Sequence, residues 1–153
     1  MGEPGTLAPM PCHFEFDPEN KLLRVRLEGQ ITTEAALEHY RAASQQVLRT
    51  RPVASIWDLS EVNSLEVSTE AVARLAHTVP ALPEPQRLRI IVAPSGHVFG
   101  LARMFQALGQ GARPRLRVVR SLEEACTLLG VSKPRFEPVE TPAFNPPTDP
   151  TKS

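Results

Sequence analysis

LRIIVAPSGHVFGLARMFQAL, residues 88–108, is the stretch on which the fold turns. Leu88 to Ala93 is short and apolar apart from Arg89, and Ile90, Ile91 and Val92 are β-branched. That composition fits a strand buried on both faces. Pro94-Ser95-Gly96 supplies turn chemistry. Val98, Leu101, Ala102, Phe105 and Leu108 then recur at helical spacing. Gly100 inside that helix costs about 1 kcal/mol against alanine, so it is expected to mark close packing onto the sheet or a ligand. Buried strand, tight turn and helix make one β-α unit of a parallel sheet.

The same unit recurs on both sides. Upstream, Val53 to Leu59 reads as a second buried strand with Asp58 near its carboxyl end, and residues 60–67 as a loop. Ser68 or Thr69 caps a helix built on Val72, Leu75, Ala76 and Val79, which Pro80, Pro83 and Pro85 stop. Downstream, Leu116 to Arg120 is another apolar-rich run. Ser121-Leu122-Glu123-Glu124 is a capping box for a short last helix, with Leu122, Ala125, Cys126, Leu128 and Leu129 on its apolar side and Gly130 as its C-cap.

The front of the chain alternates instead. Phe14 and Phe16, then Leu23, Val25 and Leu27, lie opposite polar neighbours that include Arg24, Arg26 and Glu28. Asp17-Pro18-Glu19-Asn20 joins the two runs as a turn. They read as an antiparallel hairpin with one wet face, ended by Gly29. A first helix, capped by Thr32 or Thr33 with Glu34 in its first turn, follows with Leu37, Tyr40, Ser44, Val47 and Leu48 as its stripe. His39 and His77 fall off the apolar stripes and are expected at the surface. The predicted order is β-β-α-β-α-β-α-β-α: an α/β domain with a mixed, mostly parallel five-stranded sheet and about four helices. Ligands and partners of such sheets meet the carboxyl ends of the strands, here at 60–67, 94–97 and 120–121.

Composition bounds the rest. The chain has 153 residues, 17 basic against 17 acidic, with 41% hydrophobic residues and 16 prolines against 8 glycines. Nine of the prolines lie outside 12–130. Pro-rich flanks bury too little apolar surface to offset the entropy of ordering them. The expected division is a tail over 1–11, a domain over 12–130, and an extended or disordered tail over 131–153. Zero net charge gives no global field for nucleic acid. No run of about 18 apolar residues is present, so no membrane span is expected. No signal pattern precedes the domain, which makes the cytoplasm the default, with Cys12 and Cys126 as free thiols.

The element order, the strand ending Ile56-Trp57-Asp58-Leu59, and the run from Ala93-Pro94-Ser95-Gly96-His97 to Met104 resemble the STAS fold over about residues 13–130. That is the SpoIIAA-like fold of anti-sigma-factor antagonists, grouped with Sec14-like lipid-binding domains; the resemblance is to the small stand-alone bacterial members. It implies a regulatory, non-enzymatic module. Those antagonists carry Asp-Ser-Ser/Thr-Gly where this chain reads Glu66-Val67-Ser68-Thr69. Val67 takes the phospho-acceptor position and has no hydroxyl, so the usual phospho-switch is not expected. Ser68 and Thr69 still offer hydroxyls at a helix start, where phosphate is electrostatically favoured; the simpler reading of Ser68 is an N-cap.

Several constellations remain. Ser95, Gly96 and His97 open a helix after a buried strand and form a candidate anion or ligand turn, although no lysine-bearing phosphate loop is present. Asp58 with Ser95 and His97 makes only a loose trio, without a nucleophile elbow, and no catalytic residue is assigned. The histidines show no i,i+4 pair, so no metal site and no cofactor are expected. Arg113, Arg115, Arg117 and Arg120 cluster at the last strand. Arg115 and Arg117 form a candidate basic patch, or simply guard a sheet edge. Together with Asp58, Glu66, Ser68 and Thr69 as a partner or phosphorylation loop, these residues predict a scaffold that contacts a protein partner. A lipid or small apolar ligand is the alternative and a small enzyme the third reading. A homodimer through edge strands and hairpin is compatible with either of the first two. A domain of this size is expected to spend its apolar residues on core and to leave little room for a deep cavity.

Overall fold

The computed structural model describes residues 12–78, 80 and 88–139. Ten elements follow in order: β1 (Cys12–Asp17), β2 (Leu22–Thr32), α1 (Thr33–Thr50), β3 (Ala54–Glu66), α2 (Thr69–Ala76), β4 (Leu88–Val92), α3 (Gly96–Leu108), β5 (Leu116–Val119), α4 (Leu122–Leu129) and β6 (Glu137–Pro138). They build one six-stranded sheet in the order β5-β4-β3-β2-β1-β6. β2, β3, β4 and β5 run parallel to one another, and β1 is antiparallel to both β2 and β6. The α/β class and the parallel centre agree with the expectation; the sheet has six strands rather than five. The tails at 1–11 and 140–153, and the helix stop at Val79, Pro83 and Pro85, lie outside the described residues.

The helix ends form where local chemistry places them. Thr32, Ser68 and Ser121 cap α1, α2 and α4, accepting from the N–H groups of Ala35, Ala71 and Glu124. Gly130 closes α4 at φ +73°, a left-handed conformation that glycine adopts without a Cβ penalty. Ser95 caps α3 by position, but its side chain makes no cap hydrogen bond. Gly100 is exposed and a Cβ there would meet nothing within 4 Å, so it does not mark close packing onto the sheet.

Both long strands outrun their predicted ends. Gly29 does not end the hairpin: it sits within β2 at φ +80°, between the register shifts at Arg26/Glu28 and Gly29/Gln30. A glycine at positive φ absorbs such a bulge without breaking the ladder. Residues 60–66 therefore continue β3 instead of forming a loop, and Ile31 and Val62 are buried along the extension. Asp58 consequently lies in mid-strand. The chain also stays folded past 130. Val139 donates to the Phe14 carbonyl at 2.8 Å, and Arg135 N–H donates to Asp17 Oδ2 at 3.2 Å. The start of the expected tail thus covers β1 from Phe14 to Phe16.

Two cores flank the sheet. On one face Leu23, Val25, Leu27, Leu59 and Ile91 pack under Ala43 of α1 and Val98 and Ala102 of α3. On the other Ile56, Ile90 and Val92 pack under Ala125 of α4, with Phe136 against them. Beyond α4 that second face turns polar. Arg24 donates from Nε (3.1 Å) and Nη2 (2.5 Å) to Asp58 Oδ2, and from Nη1 to Glu15 Oε1 at 2.9 Å. Arg24 also stacks on Phe136, 5.5 Å from the ring centroid. The wet face of the hairpin is therefore an ion-pair lattice, half sheltered by the returning chain.

Candidate functional site

The carboxyl edge of the sheet gathers three helix starts into one exposed face. Thr33 at the start of α1 accepts from Ser68 N–H at 3.0 Å. His97 Nε2 lies 3.2 Å from the Leu65 carbonyl, tying the α3 turn to the end of β3. Glu66 is steadied by Gln30 Nε2 at 3.3 Å and Ser64 Oγ at 3.2 Å. Glu66, Ser68, Thr69, Ser95, Gly96 and His97 are all exposed. The partner loop and the ligand turn read from the sequence thus lie side by side.

Asp58 does not join them. It is 2% exposed and lies on the opposite face of the sheet, bonded to Arg24 and accepting from Ser60 N–H (3.0 Å) and Ser60 Oγ (2.6 Å). Burial alone would raise its pKa. The hydrogen bonds from Ser60 and Arg24, with the charge of Arg24, outweigh burial and hold the carboxyl below the usual aspartate value. Asp58 and Ser95 are not brought together, and the loose trio is not assembled.

The arginine cluster also divides. Arg115 and Arg117 are exposed beside the edge strand β5, where charge discourages sheet-to-sheet pairing. Arg120 stacks over Phe99 at 3.9 Å and donates to the Pro94 carbonyl at 3.3 Å. Arg113 turns inward and is 4% exposed. Its Nη1 donates to the Ala76 carbonyl at 3.1 Å and its Nη2 to Tyr40 Oη at 2.5 Å. The guanidinium faces the Tyr40 and Phe105 rings at 5.7 and 5.3 Å. Ala76 is the last residue of α2, so Arg113 places a cation at the negative end of that helix.

A second feature was not legible in the sequence. An apolar pocket of about 190 Å³, partly open to solvent, lies between α1, α2, α3 and the sheet. Its cause is the inner face of α1. The helix turns Ala36, His39, Ala43 and Gln46 inward beside Tyr40 and Val47, while Leu48 is 52% exposed. Small side chains there cannot fill the space above Trp57 and Leu59. His39, expected at the surface, is 2% exposed and lines the cavity. Among the described residues neither of its ring nitrogens has a hydrogen-bond partner. Burial lowers its pKa against the opposing pull of Glu38, so the ring is held neutral. Core packing was expected to leave little room for a deep cavity, and the space that remains is about 190 Å³. The inward run of alanines at 36 and 43 was the available signal.

Neither a family model nor a curated protein matches the sequence. Solved structures do. The anti-sigma factor antagonist SpoIIAA in its unphosphorylated form matches over 80% of this chain and 99% of its own, at TM-score 0.54 and 17% identity. An anti-sigma factor antagonist from Mycobacterium paratuberculosis matches over 80% and 97%, at TM-score 0.54 and 19% identity. The chain has a STAS-like fold. Within that STAS-like domain, Val67 is part-buried, packs against the main core and lines the cavity. The position without a hydroxyl thus works on the inside, while its neighbours Glu66 and Ser68 remain outside.

Proposed function

We propose that this STAS-like domain is a non-catalytic regulatory module that binds a protein partner through the face formed by the starts of α1, α2 and α3. The observation that carries the reading is the stitching of that face. Hydrogen bonds from Ser68 to Thr33 and between His97 and Leu65 hold three separate turns in one rigid, exposed surface. Its side chains are an acid, hydroxyls and an imidazole without a described nucleophile–base pair. Such a surface suits recognition better than bond-breaking. The structural neighbours, themselves anti-sigma factor antagonists, point the same way by analogy of fold. Ser68 Oγ is engaged as the α2 cap at 3.1 Å from Ala71 N, which favours its role as cap over phosphate acceptor.

The test uses the full chain as bait in extract of the native host, followed by affinity measurement with the purified partner. A Glu66→Arg/Thr69→Arg variant should bind at least tenfold more weakly. Thr127→Arg, exposed on α4, should bind like the wild type. Equal binding by both variants would overturn the assignment of the face. Turnover of a small molecule by the purified protein would overturn the non-catalytic reading.

A further inference from the structure

We propose that Arg103 and Arg120, held together over the ring of Phe99, dock a short acidic segment of a protein partner. The three residues come from two parts of the chain. Phe99 and Arg103 are one turn apart on α3, so their side chains share a face of that helix. Arg120 follows β5, and its guanidinium reaches the same ring. The guanidinium carbons lie 5.8 Å (Arg103) and 3.9 Å (Arg120) from the ring centroid. Phe99 is half-buried against the main core, and both arginines are exposed.

What this pair lacks is an acid. Arg24 and Arg26 on β2 are interleaved with Glu15, Asp58 and Glu61. Among the described residues no ion pair reaches Arg103 or Arg120. Glu124 accepts from the Arg120 backbone N–H at 2.9 Å and leaves the guanidinium unmatched. Two like charges over one ring repel each other, and the negative face of the ring offsets only part of that. A carboxylate would offset the rest. Arg120 is also prepared for one. Its Nη1 is fixed on the Pro94 carbonyl at 3.3 Å, while Nε and Nη2 have no described partner. A side chain ordered before binding loses less entropy on binding, and the guanidinium fork matches a carboxylate.

The surroundings limit the length of the occupant. Glu66 and Glu70 are exposed along the same edge of the sheet, and Glu123 and Glu124 at the start of α4. A long polyanion, such as a nucleic acid or an anionic membrane, would meet these acids as well as the arginines. A few acidic side chains on a peptide would meet the arginines alone. β5 is the edge strand, so the site lies at the α3 end of the face proposed above. That the acidic segment belongs to a protein partner rests on the reading of that face.

The experiment titrates the full-length protein with an acetylated tetraglutamate amide and with its tetraglutamine counterpart, following backbone and arginine Nε–H signals by NMR in low salt. Tetraglutamate should bind at least fivefold more tightly and shift the Arg103 and Arg120 signals. Salt of about 1 M, where the Debye length is about 3 Å, should remove the preference. Arg103→Gln/Arg120→Gln should bind both peptides alike and, with both positions exposed, should keep the wild-type melting temperature. Arg74→Gln, at an exposed position on α2, should bind like the wild type. Equal affinity for the two peptides would overturn the proposal. So would unchanged tetraglutamate binding by the double variant, or tighter binding of an oligothymidylate of matched charge. Failure to recover a partner from host extract while tetraglutamate still binds would count against the reading of the face instead, so the two failures are distinguishable.

Discussion

Replacing Asp58 by asparagine should destabilise the domain through Arg24, without reference to any partner. The substitution keeps shape and removes one charge. Asp58 accepts four hydrogen bonds, two from Arg24 and two from Ser60. Ser60 is exposed, so water replaces its share at little cost. Arg24 is only 19% exposed and cannot be rehydrated as easily. Breaking a buried ion pair costs about 3–5 kcal/mol. Arg24 keeps Glu15 at 2.9 Å and the Phe136 ring, which lowers the expected loss to about 2–3 kcal/mol. For a folded unit of this size that is a drop of roughly 6–12 °C in Tm. Urea unfolding at pH 7 should show the loss in midpoint with an unchanged slope. The folded carboxyl ionises below its unfolded value of about 3.9. The stabilisation is therefore full above about pH 4 and disappears as pH falls through the lower folded pKa, where wild type and variant should converge. Pairing Asp58→Asn with Arg24→Met should give a coupling of at least about 1 kcal/mol. A loss below about 0.5 kcal/mol, or simple additivity with Arg24→Met, would refute the reasoning. So would a variant of normal stability that fails only in partner binding.

Three further outcomes are expected. Ser68→Ala removes the α2 cap and should cost about 1 kcal/mol by urea unfolding, while Ser68→Asp should retain most of it. Gly130→Ala forces a Cβ into φ +73° and should cost about 1 kcal/mol, although no neighbouring atom would clash, which isolates backbone strain as the cause. Burial pushes the Cys12 thiol up to about 12 and raises Cys126 as well. At pH 8 Cys12 should react with a disulfide reagent at least tenfold more slowly in the native protein than in urea, by absorbance of the released thiolate.

What the residues disclosed was local. Caps at Thr32, Ser68 and Ser121 and the stop at Gly130 need only their own hydrogen bonds, and the alternation of Leu23, Val25 and Leu27 needs only a pleat. What stayed hidden was settled by partners far along the chain. The continuation of β2 past Gly29 depends on a bulge against β3, with Ile31 and Val62 as its only markers. β6 exists because Val139 finds the Phe14 carbonyl more than a hundred residues away. Arg113 reads as one of four surface arginines until Tyr40 and the end of α2 claim it. On α1, ranking by hydrophobicity selects Leu48 and rejects His39, and the fold reverses both. The helix is oriented by the packing of Ala43 over the sheet, and small residues contribute little to a hydrophobic stripe.

The segment from 65 to 72 connects the apolar pocket to the exposed face. Leu65, Val67 and Val72 line the cavity, while Glu66, Ser68 and Thr69 lie on the exposed face. The alternation comes from the end of β3 running straight into the capped start of α2, a junction too short to move one set without the other. A change of packing under Val67 and a partner over Ser68 would therefore act on the same few peptide units.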